Sequence, residues 1–135
     1  MKDAGANVIQ IDEPHMQAHP IESNRFGVAA IDKALEGISG TTVVHLCFGY
    51  AYVVRDKPSG YSFLPELDKC TASAISIEAA EPSLDPSILE KLPNKIVLFG
   101  VVDLGDQNVE TSEIIANRLR GALRHIDSDR LIAAP

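Results

Sequence analysis

The sequence predicts an α/β protein of parallel βαβ units, and three observations carry that prediction. Short apolar runs rich in Val and Ile recur along the chain, helical patterns separate them, and one late run is apolar almost without interruption. Alternation of this kind argues for parallel strands joined by right-handed crossovers. A continuous apolar strand is the type buried on both faces of a parallel sheet.

Val8-Ile9-Gln10-Ile11 is the first strand, closed by Asp12-Glu13-Pro14, because proline cannot continue a ladder. From about Ser23 to Leu35, Phe26, Ala29, Ala30, Ile31 and Leu35 recur at intervals of three to four, the spacing of an amphipathic helix. Gly37 and Gly40 stop it. Thr41 to Cys47 (TTVVHLC) is the second strand. Phe48 to Tyr61, with two glycines and a proline, is expected to be a loop, and Phe63 to Lys69 a short helix. The third strand runs from Ala74 to Ile77 with Glu78 at its end. Pro86 to Leu92 reads as one or two helical turns, with Asp85 as N-cap and Pro86 at the first helical position. Lys95 to Val102 (KIVLFGVV) is the apolar fourth strand. Glu110 to Ile126 is the clearest helix, capped by Thr111, and Leu131 to Ala134 opens a fifth strand. An open doubly wound sheet and part of a (β/α)8 barrel both fit this order; a whole barrel needs eight strands and roughly 250 residues.

Composition narrows the function classes. The chain has 135 residues, 45% hydrophobic and 23% charged, which suits one ordinary globular domain. A net charge of -7 argues against a nucleic-acid partner. No apolar run approaches the ~20 residues of a membrane span, and the N-terminal residues do not read as a secretory signal. Two cysteines, Cys47 and Cys70, are too few for a disulfide scaffold, so a cytoplasmic location is expected. No nucleotide-binding glycine motif is present.

The chemistry gathers at the strand ends. Strand one ends in Asp12 and Glu13, strand two in His45 and Cys47, strand three in Glu78, strand four in Asp103. In parallel α/β folds these ends share one face, and ligands bind there. His45 and Cys47 are two residues apart on one strand, so they point to the same side at a separation of roughly 6.5–7 Å. An imidazole and a thiolate so placed can converge on one Zn²⁺, and Glu78 on the next strand offers a third ligand oxygen. A mixed N, S and O set suits a catalytic zinc with an exchangeable position. Cys47 as a nucleophile with His45 as base is the other reading, but neighbours pointing side by side favour chelation. Cys70 reads as packing, and His125 as a helix C-terminal cation.

These segments resemble the C-terminal catalytic domain of cobalamin-independent methionine synthase. The matching pieces are AGANVIQIDEP (Ala4 to Pro14), VVHLCFG (Val43 to Gly49), AISIE (Ala74 to Glu78), FGVVD (Phe99 to Asp103) and DRLIAAP (Asp129 to Pro135), in the family's order. The resemblance implies a (β/α)8 barrel of which residues 1–135 are a single C-terminal portion, the last five strands, truncated at both ends. It implies zinc held by His45, Cys47 and Glu78, with a fourth ligand in a PDCG motif that would begin at Pro135. It implies methyl transfer from 5-methyltetrahydrofolate to homocysteine, with small-molecule substrates as the partners. Asp12, with Glu13 beside it, is expected to bind substrate, Asp12 through the amino group of homocysteine, and Asp103 is the expected catalytic carboxylate. Two residues past Asp103 the family's methionine synthases carry a histidine, and this chain has Gly105. That departure, together with the unusual loop from Phe48, brings the chain closer to shorter relatives. A related alkyltransferase acting on another thiol, such as coenzyme M, and an inactive fragment are the alternatives.

Overall fold

The computed structural model describes residues 1–47 and 60–135, so most of the loop expected over Phe48 to Tyr61 lies outside the described residues. Five strands, β1 (Val8–Glu13), β2 (Thr41–Leu46), β3 (Ala74–Glu78), β4 (Ile96–Gly100) and β5 (Leu131–Ala134), form one sheet. They lie in the order β1-β2-β3-β4-β5 and every neighbouring pair is parallel. The helical elements between them are α1 (Pro20–Glu22), α2 (Val28–Leu35), α3 (Leu64–Leu67), a 3-10 helix at Pro86–Lys91 and α4 (Ser112–Ala122).

Pleat parity decides between the two architectures the sequence allows. The buried core takes Val44, Leu46, Ile75, Ile77, Val97 and Phe99 from the strands, all from one face of the sheet. It joins them to Ile31 and Leu35 of α2, Ile88 and Leu89 of the 3-10 helix, and Ala122 of α4. The opposite face carries the row Asp12, His45, Ser76, Leu98 and Ile132, one residue from each strand in register. A doubly wound sheet reverses its strand order and takes helices on both faces. Strictly sequential strands with helices packed on one face form the wall of a (β/α)8 barrel, whose other face is the interior.

Local chemistry explains the element ends. Thr111 Oγ1 accepts the Ile114 N–H at 3.3 Å and starts α4. Thr111→Ala should therefore cost about 1 kcal/mol of unfolding free energy, read by urea denaturation; no change would show that the cap is dispensable. Asp85 Oδ1 accepts the Ser87 N–H at 2.9 Å, with Pro86 in the first turn, as its spacing predicts. Gly37 and Gly40 take positive φ of 76° and 90° after α2, a conformation other residues avoid. Lys95 is buried below β4, where its ammonium donates to the carbonyls of Cys70 at 2.5 Å and Ala72 at 2.8 Å.

Two expected helices differ from the structure. The helix expected from Ser23 is wound as π-helix over Ser23–Gly27, and Phe26 is 56% exposed instead of joining the core stripe. Gly27 there lets Met16 approach closely, since a Cβ would meet Met16 Cε at 2.8 Å. The helix expected from Glu110 to Ile126 spans Ser112–Ala122, because Glu110 leaves it to pair with Arg118 and to accept the Asp103 N–H at 3.1 Å.

Candidate metal centre

β2 and β3 end side by side, with His45 paired to Ser76 and Leu46 to Ile77. Because alternate residues share a face, His45, Cys47 and Glu78 all point to the interior side of the wall, at the C-terminal ends of its strands. Their ligand atoms lie within 4.8 Å of one another. His45 Nε2 is 3.9 Å from Glu78 Oε1. Both side chains keep part of their surface open, 24% for His45 and 37% for Glu78, so a ligand can reach the cluster from the rim.

Two residues hold this arrangement that the sequence reading did not single out. Ser76 Oγ lies 2.9 Å from His45 Nδ1, which leaves Nε2 aimed at Glu78. A hydrogen bond at the far ring nitrogen fixes the imidazole's orientation. The signal was present: Ser76 shares its strand face with Glu78 in AISIE. Tyr61 is buried, donates its hydroxyl to the Leu46 carbonyl at 2.8 Å and accepts the Glu78 N–H at 3.2 Å. Burial pushes its phenol up, so it stays protonated as a donor.

The charge around Cys47 is unbalanced toward the negative. Burial, then the carboxylates of Glu78, Asp12 and Glu13, push its thiol up from its ordinary value. A divalent cation among these groups would offset both effects and allow the thiol to ionise. Four-coordinate zinc holds neighbouring donors roughly 3.3–3.8 Å apart. The His45–Glu78 separation of 3.9 Å approaches that range, and all three donor atoms lie within 4.8 Å of one another. The donor set fits zinc.

The other strand-end acids are placed differently. Asp12 is exposed beside His45 in register, with Oδ1 accepting from Gln10 Nε2 at 2.8 Å. Glu13 falls on the helix-side parity, and its carboxylate caps the following turn through the N–H groups of His15 at 3.1 Å and Met16 at 2.6 Å. Asp103 Oδ1 accepts the Gly105 N–H at 2.9 Å and closes a tight turn after β4. Its carboxylate is not one of the three clustered groups. A cleft of about 600 Å³ opens between β1 and α2, lined by Asp12, Glu13, His15, His19, Phe26 and other residues. None of His45, Cys47 and Glu78 lines it. Cys70 is buried, as packing predicts, and His125 Nδ1 meets Glu90 Oε1 at 2.7 Å. Among the described residues no helix is long and apolar enough to cross a membrane.

The likeness to known proteins agrees with this fold. The whole chain, residues 1–135, matches the family model described as the cobalamin-independent synthase catalytic domain. It is 32% identical to methionine synthase of Thermococcus kodakarensis over 136 residues, covering 100% of this chain and 38% of that protein. Against methionine synthase of Pyrococcus horikoshii it is 30% identical, covering 100% of this chain and 37% of the relative. A solved B12-independent methionine synthase from a Shewanella species, in complex with selenomethionine, superposes with a TM-score of 0.86 at 31% identity. That alignment takes in 98% of this chain and 41% of the other. The chain thus spans well under half the length of these relatives. By its match over residues 1–135, and by strands that superpose on a solved member, the chain belongs to the cobalamin-independent synthase catalytic-domain family.

Proposed function

We propose that this chain carries the thiol-activating part of a zinc-dependent methyltransferase that methylates homocysteine to methionine, with 5-methyltetrahydrofolate as the donor. The observation that carries the proposal is the convergence of an imidazole, a thiol and a carboxylate on the rim of a barrel wall. The family membership and the relatives named methionine synthase support it. On the same reading the five strands are the C-terminal portion of the barrel, and the protein acts in the cytoplasm on small molecules.

His45, Cys47 and Glu78 would hold the metal. Zinc, when bound there, supplies the positive charge that lets a substrate thiol lose its proton near neutral pH. Ser76 keeps the His45 ring turned toward Glu78. Asp12 stands exposed at the rim in register with His45, where its carboxylate suits the substrate's ammonium. Glu13 supports it by capping the turn that follows. Methyl transfer forms an S–CH3 bond as the N5–CH3 bond breaks; the electron pair stays on N5, which takes up a proton. Asp103, three residues beyond β4, is assigned to the donor side of the rim.

Gly105 favours a second reading of the reaction, transfer to another thiol such as coenzyme M. A Cβ at this position would sit 3.3 Å from Asp103 Oδ1 and 3.4 Å from Glu81 Cγ, so a side chain fits here only if these neighbours give way. The two readings differ in charge at the acceptor. A carboxylate at Asp12 attracts an ammonium and repels a sulfonate. A charge-assisted hydrogen bond contributes about 1.5–3 kcal/mol, or roughly tenfold to a hundredfold in affinity. Asp12→Asn should weaken homocysteine binding by that factor while the zinc content stays unchanged. Calorimetric titration with homocysteine and coenzyme M checks this. Tighter binding of coenzyme M to the unmutated protein would replace the first reading with the second.

A further inference from the structure

The hydroxyl of Tyr61 occupies an unusual place in the β2–β3 ladder. Parallel strands are joined by evenly spaced, slanted hydrogen bonds. The Ile96 N–H donates to the Ser73 carbonyl, so odd-numbered residues of β3 turn their backbone groups to β4 and even-numbered ones to β2. With Leu46 paired to Ile77, the last rung would run directly from the Glu78 N–H to the Leu46 carbonyl. Tyr61 stands in that rung, accepting from Glu78 at 3.2 Å and donating to Leu46 at 2.8 Å. A direct bond would place nitrogen and oxygen about 2.9 Å apart. One oxygen inserted between them parts the strand ends at this level.

That level is where the metal ligands sit. Leu46 lies between His45 and Cys47, and Glu78 is itself the third ligand. We propose that Tyr61 is a positioning residue for the metal centre, its hydroxyl setting the gap between the strand end that carries His45 and Cys47 and the one that carries Glu78. The inference rests on reading these three residues as metal ligands. Tyr61 is well anchored for this role, being 1% exposed, with its ring packed edge-on against Phe63 at a centroid distance of 6.1 Å and an angle of 70°. A fixed ring holds the oxygen in place before any metal arrives. Tyr61 acts on the site through two backbone groups, the Leu46 carbonyl and the Glu78 N–H.

Tyr61→Phe keeps the ring and removes the rung. The test measures Zn²⁺ affinity by competition with a chromophoric chelator, and the absorption bands of the Co²⁺-loaded protein, whose thiolate charge-transfer and d–d transitions report ligand geometry. Leu92→Ala, a fully buried core change among residues outside the cluster, serves as a destabilised control. The expected result is a Zn²⁺ affinity about tenfold to hundredfold weaker in Tyr61→Phe, with shifted Co²⁺ bands, while Leu92→Ala melts earlier with affinity and bands unchanged. Unaltered affinity and bands in Tyr61→Phe would overturn the inference. So would equal losses in both variants, or loss of the folded circular dichroism spectrum in Tyr61→Phe, since either would assign the hydroxyl to general stability. Failure of the unmutated chain to bind Zn²⁺ or Co²⁺ would overturn the metal reading first, and a separate titration shows that result.

Discussion

Cys47→Ser should leave the protein folded and strip it of most of its zinc. Changes to groups that only orient a ligand cost about 10–100-fold in metal affinity, and loss of a coordinating atom should exceed that. Serine oxygen is a harder donor that stays protonated, so the cluster would retain His45 and Glu78 without the soft thiolate that favours zinc. Because the side chain is only partly buried at the rim, removing its sulfur opens no core cavity and the melting temperature of the metal-free protein should hardly move. Atomic absorption after dialysis gives the stoichiometry. Zinc retained at the unmutated level would mean that Cys47 packs and does not ligate.

The largest effect on stability should come from Ile75→Ala. Ile75 is fully buried in the middle of β3, between Val44 of β2 and Val97 of β4 in register, on the face the helices cover. Deleting such a side chain costs about 2–5 kcal/mol, a large share of the roughly 5–15 kcal/mol that keeps a domain folded. Leu98→Ala, on the other face and only partly buried, should cost much less. Urea unfolding of both variants tests the assignment of faces. Equal costs would mean that the core does not lie on the helix side alone.

The strands and the clustering of His45, Cys47 and Glu78 were legible because both depend on short-range pattern. An apolar run fixes a strand, and the two-residue period then places His45 with Cys47 on one face. Ser76 was legible by the same rule. Tyr61 was not, because its bonds cross 15 residues to Leu46 and 17 to Glu78, and no local pattern records such a reach. Phe26 misled for a definable reason. The π turn at Ser23–Gly27 bonds each residue to one five positions away instead of four, so a 3.6-residue period counted across it loses phase. Glu13 ends β1 and Asp103 follows β4, but turn geometry binds their carboxylates to nearby N–H groups. A sequence shows that an acid is present at a strand end. It does not show which backbone amides will claim it.

The register between β2 and β3 has an evolutionary consequence. With a side-chain period of two, a single residue inserted in β2 ahead of Val44 would send His45 and Cys47 toward the helices and bring Val44 and Leu46 to the rim. The core would then receive an imidazole and a thiol, and the site would receive two hydrocarbons. A deletion would do the same from the other direction. Only paired changes in length restore the arrangement, so each ligand-bearing strand acts as a parity check on its own gene. Random one-codon insertions should therefore be lethal to zinc binding at any point within Thr41–Leu46 or Ala74–Glu78. In the turn at residues 103–110 the same insertions alter no strand's parity, so zinc binding should survive them there.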